Sequence, residues 1–121
     1  MKKFTLCFLM FLALASTVWA LPDWVQQSAT KTADAAISTT PGYFHGIVVT
    51  TDATNACTVK IYDNKSAASG DKLIPDWIVT TSATDRAQSY SISPPVRYGQ
   101  GIYVDITTDG ACSYMVYFNN R

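Results

Sequence analysis

The chain has 121 residues, of which 48% are hydrophobic and 15% charged, and nine Lys and Arg balance nine Asp at a formal net charge of zero. It contains no glutamate and no basic run, so the composition argues against nucleic acid or an anionic membrane surface as a partner. Its wealth of threonine and tyrosine suits strands and turns and disfavours helices.

The first twenty residues have the layout of a helical secretory signal peptide. Lys2 and Lys3 form a positive head, an apolar run follows, and Val18 and Ala20 occupy the −3 and −1 positions of a cleavage site. The apolar run is too short to span a bilayer comfortably, which takes about 20 residues. An uncleaved N-terminal anchor is the alternative. Cleavage would leave one domain of 101 residues, with no membrane span and with seven Lys and Arg against nine Asp, a net charge of −2.

After the leader, the chain consists of β-strand patterns separated by turn residues. Residues 21–41 predict an N-terminal arm or a first strand, although 33–37 is also compatible with a helical turn. Six further strands are rich in β-branched residues or alternate apolar with polar side chains, and they cover residues 43–51, 57–62, 72–80, 86–93, 101–107 and 111–118.

Prolines modify two of these strands. Pro75 makes residues 72–80 an edge strand or two short pieces, and Pro94 and Pro95 must interrupt any ladder because neither has an N–H to donate. Short strands with a turn about every dozen residues predict an all-β fold, namely an antiparallel β-sandwich of jelly-roll or Ig type with about 6–8 strands over residues 42–121. A closed small barrel is the alternative.

One phrase occurs twice in the sequence. VVTTDATNAC ends at Cys57 and DITTDGAC ends at Cys112, and each consists of a β-branched run, Thr-Thr-Asp, a small loop and Ala-Cys. A weaker copy without cysteine, IVTTSATDRA, covers residues 78–87. We interpret each copy as a β-hairpin, which gives the chain three hairpins.

The faces of the strands select the register of two of these hairpins. A two-residue Asp-Gly turn in the second copy would put apolar and polar side chains of the two strands on the same face. A three-residue loop at 108–110 instead pairs Ile106 with Cys112 and directs both side chains inward. A longer loop in the first copy pairs Thr51 with Cys57 in the same way. Both cysteines are therefore predicted to point inward, each next to a hairpin tip.

The two cysteines predict a disulfide. Cys7 leaves with the signal peptide, and an even cysteine count in an exported chain favours bridging. If the first and last hairpins are neighbours, Cys57 and Cys112 can meet and close a loop worth about 4 kcal/mol. Two buried free thiols are the alternative, and a metal site has weak support because the chain has a single histidine and no Cys-x-x-Cys pair.

No pattern predicts an active site, so we expect no catalytic residues, no cofactor and no enzymatic activity. His45 is the only histidine and we expect a structural role for it, and the nucleophile-elbow pattern G-x-S-x-G does not occur. Oxygen-rich loops around Asp52, Asp63 and Asp71 can hold calcium in principle. Their spacing resembles no calcium loop, and Asp is an ordinary turn residue.

Several aromatic side chains form a candidate binding surface, because exposed aromatics on a sandwich can stack on sugars or act as protein hot spots. The alternative is that each covers the core or a strand edge. The expected partner is a protein or glycan surface, and an oligomer is compatible with the sequence. The candidates are Tyr62, Trp77, Tyr98, Tyr103 and Tyr117.

Between Gly42 and Phe118 the phrases GIVVTTD, KIYDN, SAASG, PPVRY and GIYVD follow one another in order. This succession resembles a group of small, largely uncharacterised β-sandwich proteins found among tailed-phage and prophage virion genes and in environmental sequences. The resemblance implies a structural or decoration role without known activity, and it supplies no binding residues. The signal peptide and the cysteine pair depart from that group and fit export.

Together these observations predict a secreted or surface structural or binding module, with a soluble carbohydrate-binding or adhesin module as the alternative function. The expected location is periplasmic or extracellular, with virion association as the alternative.

Overall fold

The computed structural model describes residues 24–80 and 82–121, which form eight β-strands and no helix. The all-β prediction is confirmed, whereas the predicted signal peptide lies outside the described residues. Accordingly, no described segment is a helix with the length and apolar character that a bilayer crossing requires. The strands are β1 Gln26–Gln27, β2 Ala35–Ser38, β3 Gly42–Thr51, β4 Cys57–Asp63, β5 Trp77–Val79, β6 Ala87–Tyr98, β7 Ile102–Thr108 and β8 Cys112–Asn120.

The strands make two antiparallel four-stranded sheets that pack face to face. Sheet I has the order β1-β8-β3-β6 and sheet II the order β2-β7-β4-β5. Every connection except that between β4 and β5 therefore crosses from one sheet to the other. This strand order is that of an eight-stranded jelly roll, so it decides between the jelly-roll and Ig-like alternatives, and neither sheet closes into a barrel.

The predicted hairpins are wrong. Thr51 pairs with Cys112 and Cys57 pairs with Thr108, because β3 lies beside β8 in sheet I and β4 beside β7 in sheet II. Each Thr-Thr-Asp phrase is thus an arch that carries the chain across the sandwich, and the connection from β5 to β6 also changes sheet. The alternation of inward side chains is the same for a hairpin and for two strands that face each other across a core, so it could not separate them.

One hydrophobic cluster fills the space between the sheets, and its members alternate along the strands as the sequence predicts. Its strand residues are at most 6% exposed, so the core is closed to solvent over the central strands of both sheets. They are Phe44, Ile47, Val49, Cys57, Val59, Ile61, Val79, Tyr98, Ile102, Val104, Cys112, Tyr114, Val116 and Phe118.

The edges of the sheets show the effect of the prolines. The three-residue strand β5 lies at the edge of sheet II just after Pro75, as predicted. On the edge strand β6, Ser91 pairs with Gly46 and Val96 with Phe44, so residues 92–95 leave the ladder. The predicted interruption at Pro94-Pro95 is confirmed.

The N-terminal segment lies along one side of both sheets. Its Ser28 N–H donates to Val116 O and its Lys31 N–H to Tyr114 O in sheet I. It then crosses to sheet II, where Asp34 Oδ1 accepts a hydrogen bond from the Ile106 N–H at 2.8 Å. Strands β1 and β2 belong to this segment, and no helical turn forms over residues 33–37.

A carboxylate holds the tight crossing from β6 to β7. Asp63 Oδ2 accepts from the Gly99 N–H at 2.8 Å, and Asp63 Oδ1 accepts from the N–H groups of Gln100 at 2.7 Å and Gly101 at 3.3 Å. Because β6 and β7 lie in different sheets, these bonds join the end of β4 to the turn that links the two layers.

Candidate binding surfaces

The Cys57–Cys112 disulfide is confirmed, and it joins the two sheets. Cys57 begins β4 in sheet II and Cys112 begins β8 in sheet I, with their Cα atoms 6.4 Å apart and 55 residues apart in sequence. Both side chains belong to the core, with exposures of 0% and 6%. The pairing could be predicted although the hairpins were wrong, because both cysteines face inward at the same end of the sandwich.

A second link joins the two arches at this end. The Asp52 carboxylate accepts hydrogen bonds from the N–H groups of Thr54 at 2.9 Å, Asn55 at 2.8 Å and, across the gap, Ala111 at 3.2 Å. The bonds from the backbone and side chain of Asn55, and then that from Thr54, hold the pKa of Asp52 well below its usual range. A Cβ at Gly110 would overlap the Asp52 carboxylate and the Asn55 amide, so any larger residue there would have to displace these two side chains.

Two shallow grooves lie next to the arches, on the outer side of β3 and β8. Their volumes are about 280 and 230 Å³, below the roughly 300–1,000 Å³ of typical small-molecule pockets. Threonine, serine and apolar side chains predominate among the residues that line them, and Asp52 is the one carboxylate in this lining. They are lined by Thr30, Thr32, Val48, Thr50, Thr51, Asp52, Ala111, Cys112, Ser113, Tyr114 and Met115.

His45 has a local partner in the structure. It is the extra residue of a bulge in β3, since Phe44 pairs with Phe118 and Gly46 with Tyr117. In its Nε2-protonated tautomer the imidazole donates to Asn119 Oδ1 at 3.3 Å. Within residues 24–80 and 82–121, no three His, Cys or Asp side chains group closely enough to hold a metal ion.

Two predicted binding residues come together on the outer face of sheet II. Tyr62 and Tyr103 are direct cross-strand partners on β4 and β7, and both are half-buried. The Lys72 ammonium lies 5.8 Å from the centre of the Tyr62 ring. We call Tyr62 and Tyr103 the tyrosine pair, and the rings form an aromatic surface beside charged groups.

The other three predicted binding residues lie elsewhere. Trp77 points inward at the open side of the sandwich, where its ring meets Tyr90 edge-on at 5.5 Å, and Tyr117 lies on the outer face of sheet I. Tyr98 is fully buried, so its assignment to a binding surface is wrong. Its hydroxyl donates to Asn119 O at 3.1 Å, which lets the ring enter the core while the polar end stays satisfied, and burial raises the pKa of that hydroxyl.

Sequence reasoning missed a cluster of basic and polar residues on the outer face of sheet I. Tyr43 on β3 pairs with Arg97 on β6 and with Asn119 on β8, and the Arg121 guanidinium lies 5.0 Å from the centre of the Tyr43 ring. His45 joins this group through Asn119. We call these five residues the arginine patch. No local motif marks it, because only the pairing of β3 with both neighbours brings its members together.

A comparison of the chain with protein-family models found no match, and a comparison with curated proteins also found none. A functional assignment therefore depends on the chemistry of the surfaces described above.

Proposed function

We propose that this protein is an exported structural or binding module without catalytic activity, which acts at a cell surface or on a virion-type assembly. The location that fits it is periplasmic or extracellular. The jelly roll is used for capsid and lectin domains among others, so the fold is compatible with this role but does not decide it.

The observation that carries the proposal is the Cys57–Cys112 disulfide inside the core. Structural disulfides form and persist in oxidising compartments and are rare in the cytosol. A bond that ties the two sheets of a small domain together suits a protein that must stay folded outside the cell. The signal-peptide pattern of residues 1–20 supports export independently.

The arrangement of the polar groups supports a role in binding or structure. His45 contacts Asn119 and is not paired with a carboxylate or a nucleophile among the described residues. The grooves are shallow, whereas the outer sheet faces present aromatic and charged side chains. Such surfaces suit contact with another macromolecule.

Fractionation of the producing cells tests this proposal. The chain, followed with an antibody, is expected in the periplasm, the envelope, the medium or a particle fraction, and without residues 1–20. Recovery of the full-length chain from the cytosol, with free thiols at Cys57 and Cys112, would contradict it. So would a hydrolytic activity that is abolished by His45→Ala.

Carbohydrate binding is a second candidate, and the tyrosine pair favours it. Adjacent aromatic rings on a sheet face offer apolar surface to the faces of sugar rings. The neighbouring cross-strand pair on the same face is Lys60 and Asp105, whose Nζ and Oδ2 atoms lie 3.9 Å apart, and this ion pair supplies polar groups beside the rings. A glycan array with the wild type, Tyr62→Ala and Tyr103→Ala tests this. Thr107→Ala, on the outer face of the same strand as Tyr103, is the control.

The expected result is binding that both tyrosine substitutions abolish and that Thr107→Ala preserves. Binding that survives both tyrosine substitutions would exclude the tyrosine pair as the site.

A further inference from the structure

We propose that the arginine patch is a binding site for a carboxylate-bearing polysaccharide. The inference rests on the proposed function of an exported binding module, and it specifies a ligand class and a surface. It is independent of the tyrosine pair, which lies on the opposite sheet.

The strand register places the patch on one outer surface. Phe44 and Tyr98 are fully buried, so their neighbours Tyr43 and Arg97 point away from the core, since side chains alternate along a strand. Tyr43 and Arg97 are cross-strand partners, which brings their side chains next to each other. Arg121 reaches the same place, since its guanidinium lies over the Tyr43 ring. The tyrosine whose ring the Arg121 guanidinium contacts is therefore the cross-strand neighbour of a second, exposed arginine.

Neither arginine of the patch has a side-chain carboxylate as an ion-pair partner among the described residues. Lys60 and Lys72 each have a carboxylate partner, Asp105 and Asp76, whereas the ion pairs of residues 24–80 and 82–121 include neither Arg97 nor Arg121. The residues directly across the sheet from Arg97 are Tyr43 on β3 and Asn119 on β8, and neither is acidic. A positive surface thus forms on a chain whose residues 21–121 have a net charge of −2. Charge complementarity predicts an anionic ligand.

Hydrogen-bonding groups of the patch suit a carboxylate. A guanidinium presents two N–H groups in a plane, which match the two oxygens of a carboxylate. The exposed side chains of Arg97 and Arg121 therefore offer two such pairs of donors to an anionic ligand.

The size and aromatic content of the patch favour a polysaccharide over nucleic acid. A nucleic acid carries a charge on every nucleotide and is usually bound by an extended basic surface, whereas this patch has two arginines and the chain has a pI of about 6.5. A short stretch of a carboxylated polysaccharide can place one carboxylate on each of the two guanidinium groups, and its charges are carried by sugar rings. The rings of Tyr43 and Tyr117, both half-buried on this face, give apolar surface on which such sugar rings can stack.

Binding of defined oligosaccharides to the disulfide-bonded chain tests the inference. The probes are oligogalacturonate, the same oligomer with its carboxylates reduced to alcohols, a heparin-derived sulfated oligosaccharide and single-stranded DNA. The proteins are the wild type, Arg97→Ala, Arg97→Lys, Arg121→Ala and the control Arg86→Ala. Arg86 is exposed and lies next to the first residue of β6, at the opposite end of that strand from Arg97.

The wild type is expected to bind oligogalacturonate and to bind the reduced oligomer at least tenfold more weakly. Arg97→Ala and Arg121→Ala should each weaken oligogalacturonate binding by about tenfold or more, since a hydrogen bond to a charged group is worth about that factor. Arg97→Lys should recover only part of the loss, because lysine keeps the charge but not the planar pair of donors. Arg86→Ala should stay within about twofold of the wild type.

Three results would overturn the inference. These are absence of oligogalacturonate binding by the wild type, equal binding by the wild type and both alanine variants, and tighter binding of sulfated oligosaccharide or DNA through the same arginines. Thermal unfolding of each variant controls for folding, and both arginines are exposed. The proposed function is judged separately by fractionation, so an exported chain that fails this test would refute the site and leave the exported module intact.

Discussion

Removal of the Cys57–Cys112 disulfide is expected to lower the free energy of unfolding by about 4 kcal/mol. The bond closes a 55-residue loop, and the chain-entropy model gives about 14 cal/mol/K for such a loop, or about 4 kcal/mol at 25 °C. A domain of this size has a total stability of about 5–10 kcal/mol. The loss should therefore lower the melting temperature by roughly 15–30 °C, at about 4–8 °C per kcal/mol.

The assay is urea unfolding of Cys57→Ala, Cys112→Ala and the double variant. The fluorescence of Trp77, half-buried against Tyr90, reports on the packing between the sheets. Each single substitution already breaks the bond, so the double variant should lose much less than the sum of the two losses. Reduction of the wild type by a thiol should reproduce the single-variant result.

A loss of less than about 1 kcal/mol in the variants, with the bond shown to be present in the wild type, would refute this reasoning. It would mean that the arches and the core hold the two sheets together without help from the bridge.

Three further substitutions test contacts around the connections. Asp52→Asn should destabilise the chain, and because the folded-state pKa of Asp52 is lowered, the difference from the wild type should be complete at neutral pH and shrink as the pH falls below about 4. Gly110→Ala should cost about 1–3 kcal/mol, because its Cβ overlaps the Asp52 carboxylate. Asp63→Ala should cost about 1–3 kcal/mol, because three backbone N–H groups lose a charged acceptor. Chemical unfolding measures all three.

Each substitution has a matched control. Asp109→Asn changes a carboxylate in the neighbouring arch, Gly99→Ala adds a Cβ whose nearest atom lies at an ordinary 3.6 Å, and Asp71→Ala removes an exposed loop aspartate. We expect each control to stay within about 0.5 kcal/mol of the wild type. A test substitution that lowers the free energy of unfolding no more than its control does would contradict the corresponding contact. So would a stability difference between Asp52→Asn and the wild type that persists unchanged at pH 2.

The strands and their inward faces could be predicted from the sequence because burial imposes a two-residue period. Val59 and Ile61 on β4, and Val104 on β7, are all in the core as their alternation indicates. The partners of each strand could not be predicted in this way. Val59 faces inward whether its strand pairs with β3 or lies opposite β3, so the same pattern fitted a hairpin and an arch.

Predictions about individual side chains were confirmed where they depended on one strand at a time. The Cys57–Cys112 bond could be predicted because it required only that both side chains point inward at the same end of the sandwich. Tyr98 was misassigned because its buried hydroxyl depends on Asn119, a partner 21 residues away. The arginine patch was missed because Arg97 becomes a neighbour of Tyr43 only through the pairing of β3 with β6. Arg121 reaches the Tyr43 ring only through the position of the chain after β8.

The most direct test of the exported, bridged module is mass spectrometry, without reduction, of the chain recovered from the producing organism. We predict an N-terminus at Leu21 and a disulfide-linked pair of peptides that contain Cys57 and Cys112, in material from outside the cytosol. An intact N-terminus with both thiols free, in material recovered only from the cytosol, would contradict the account.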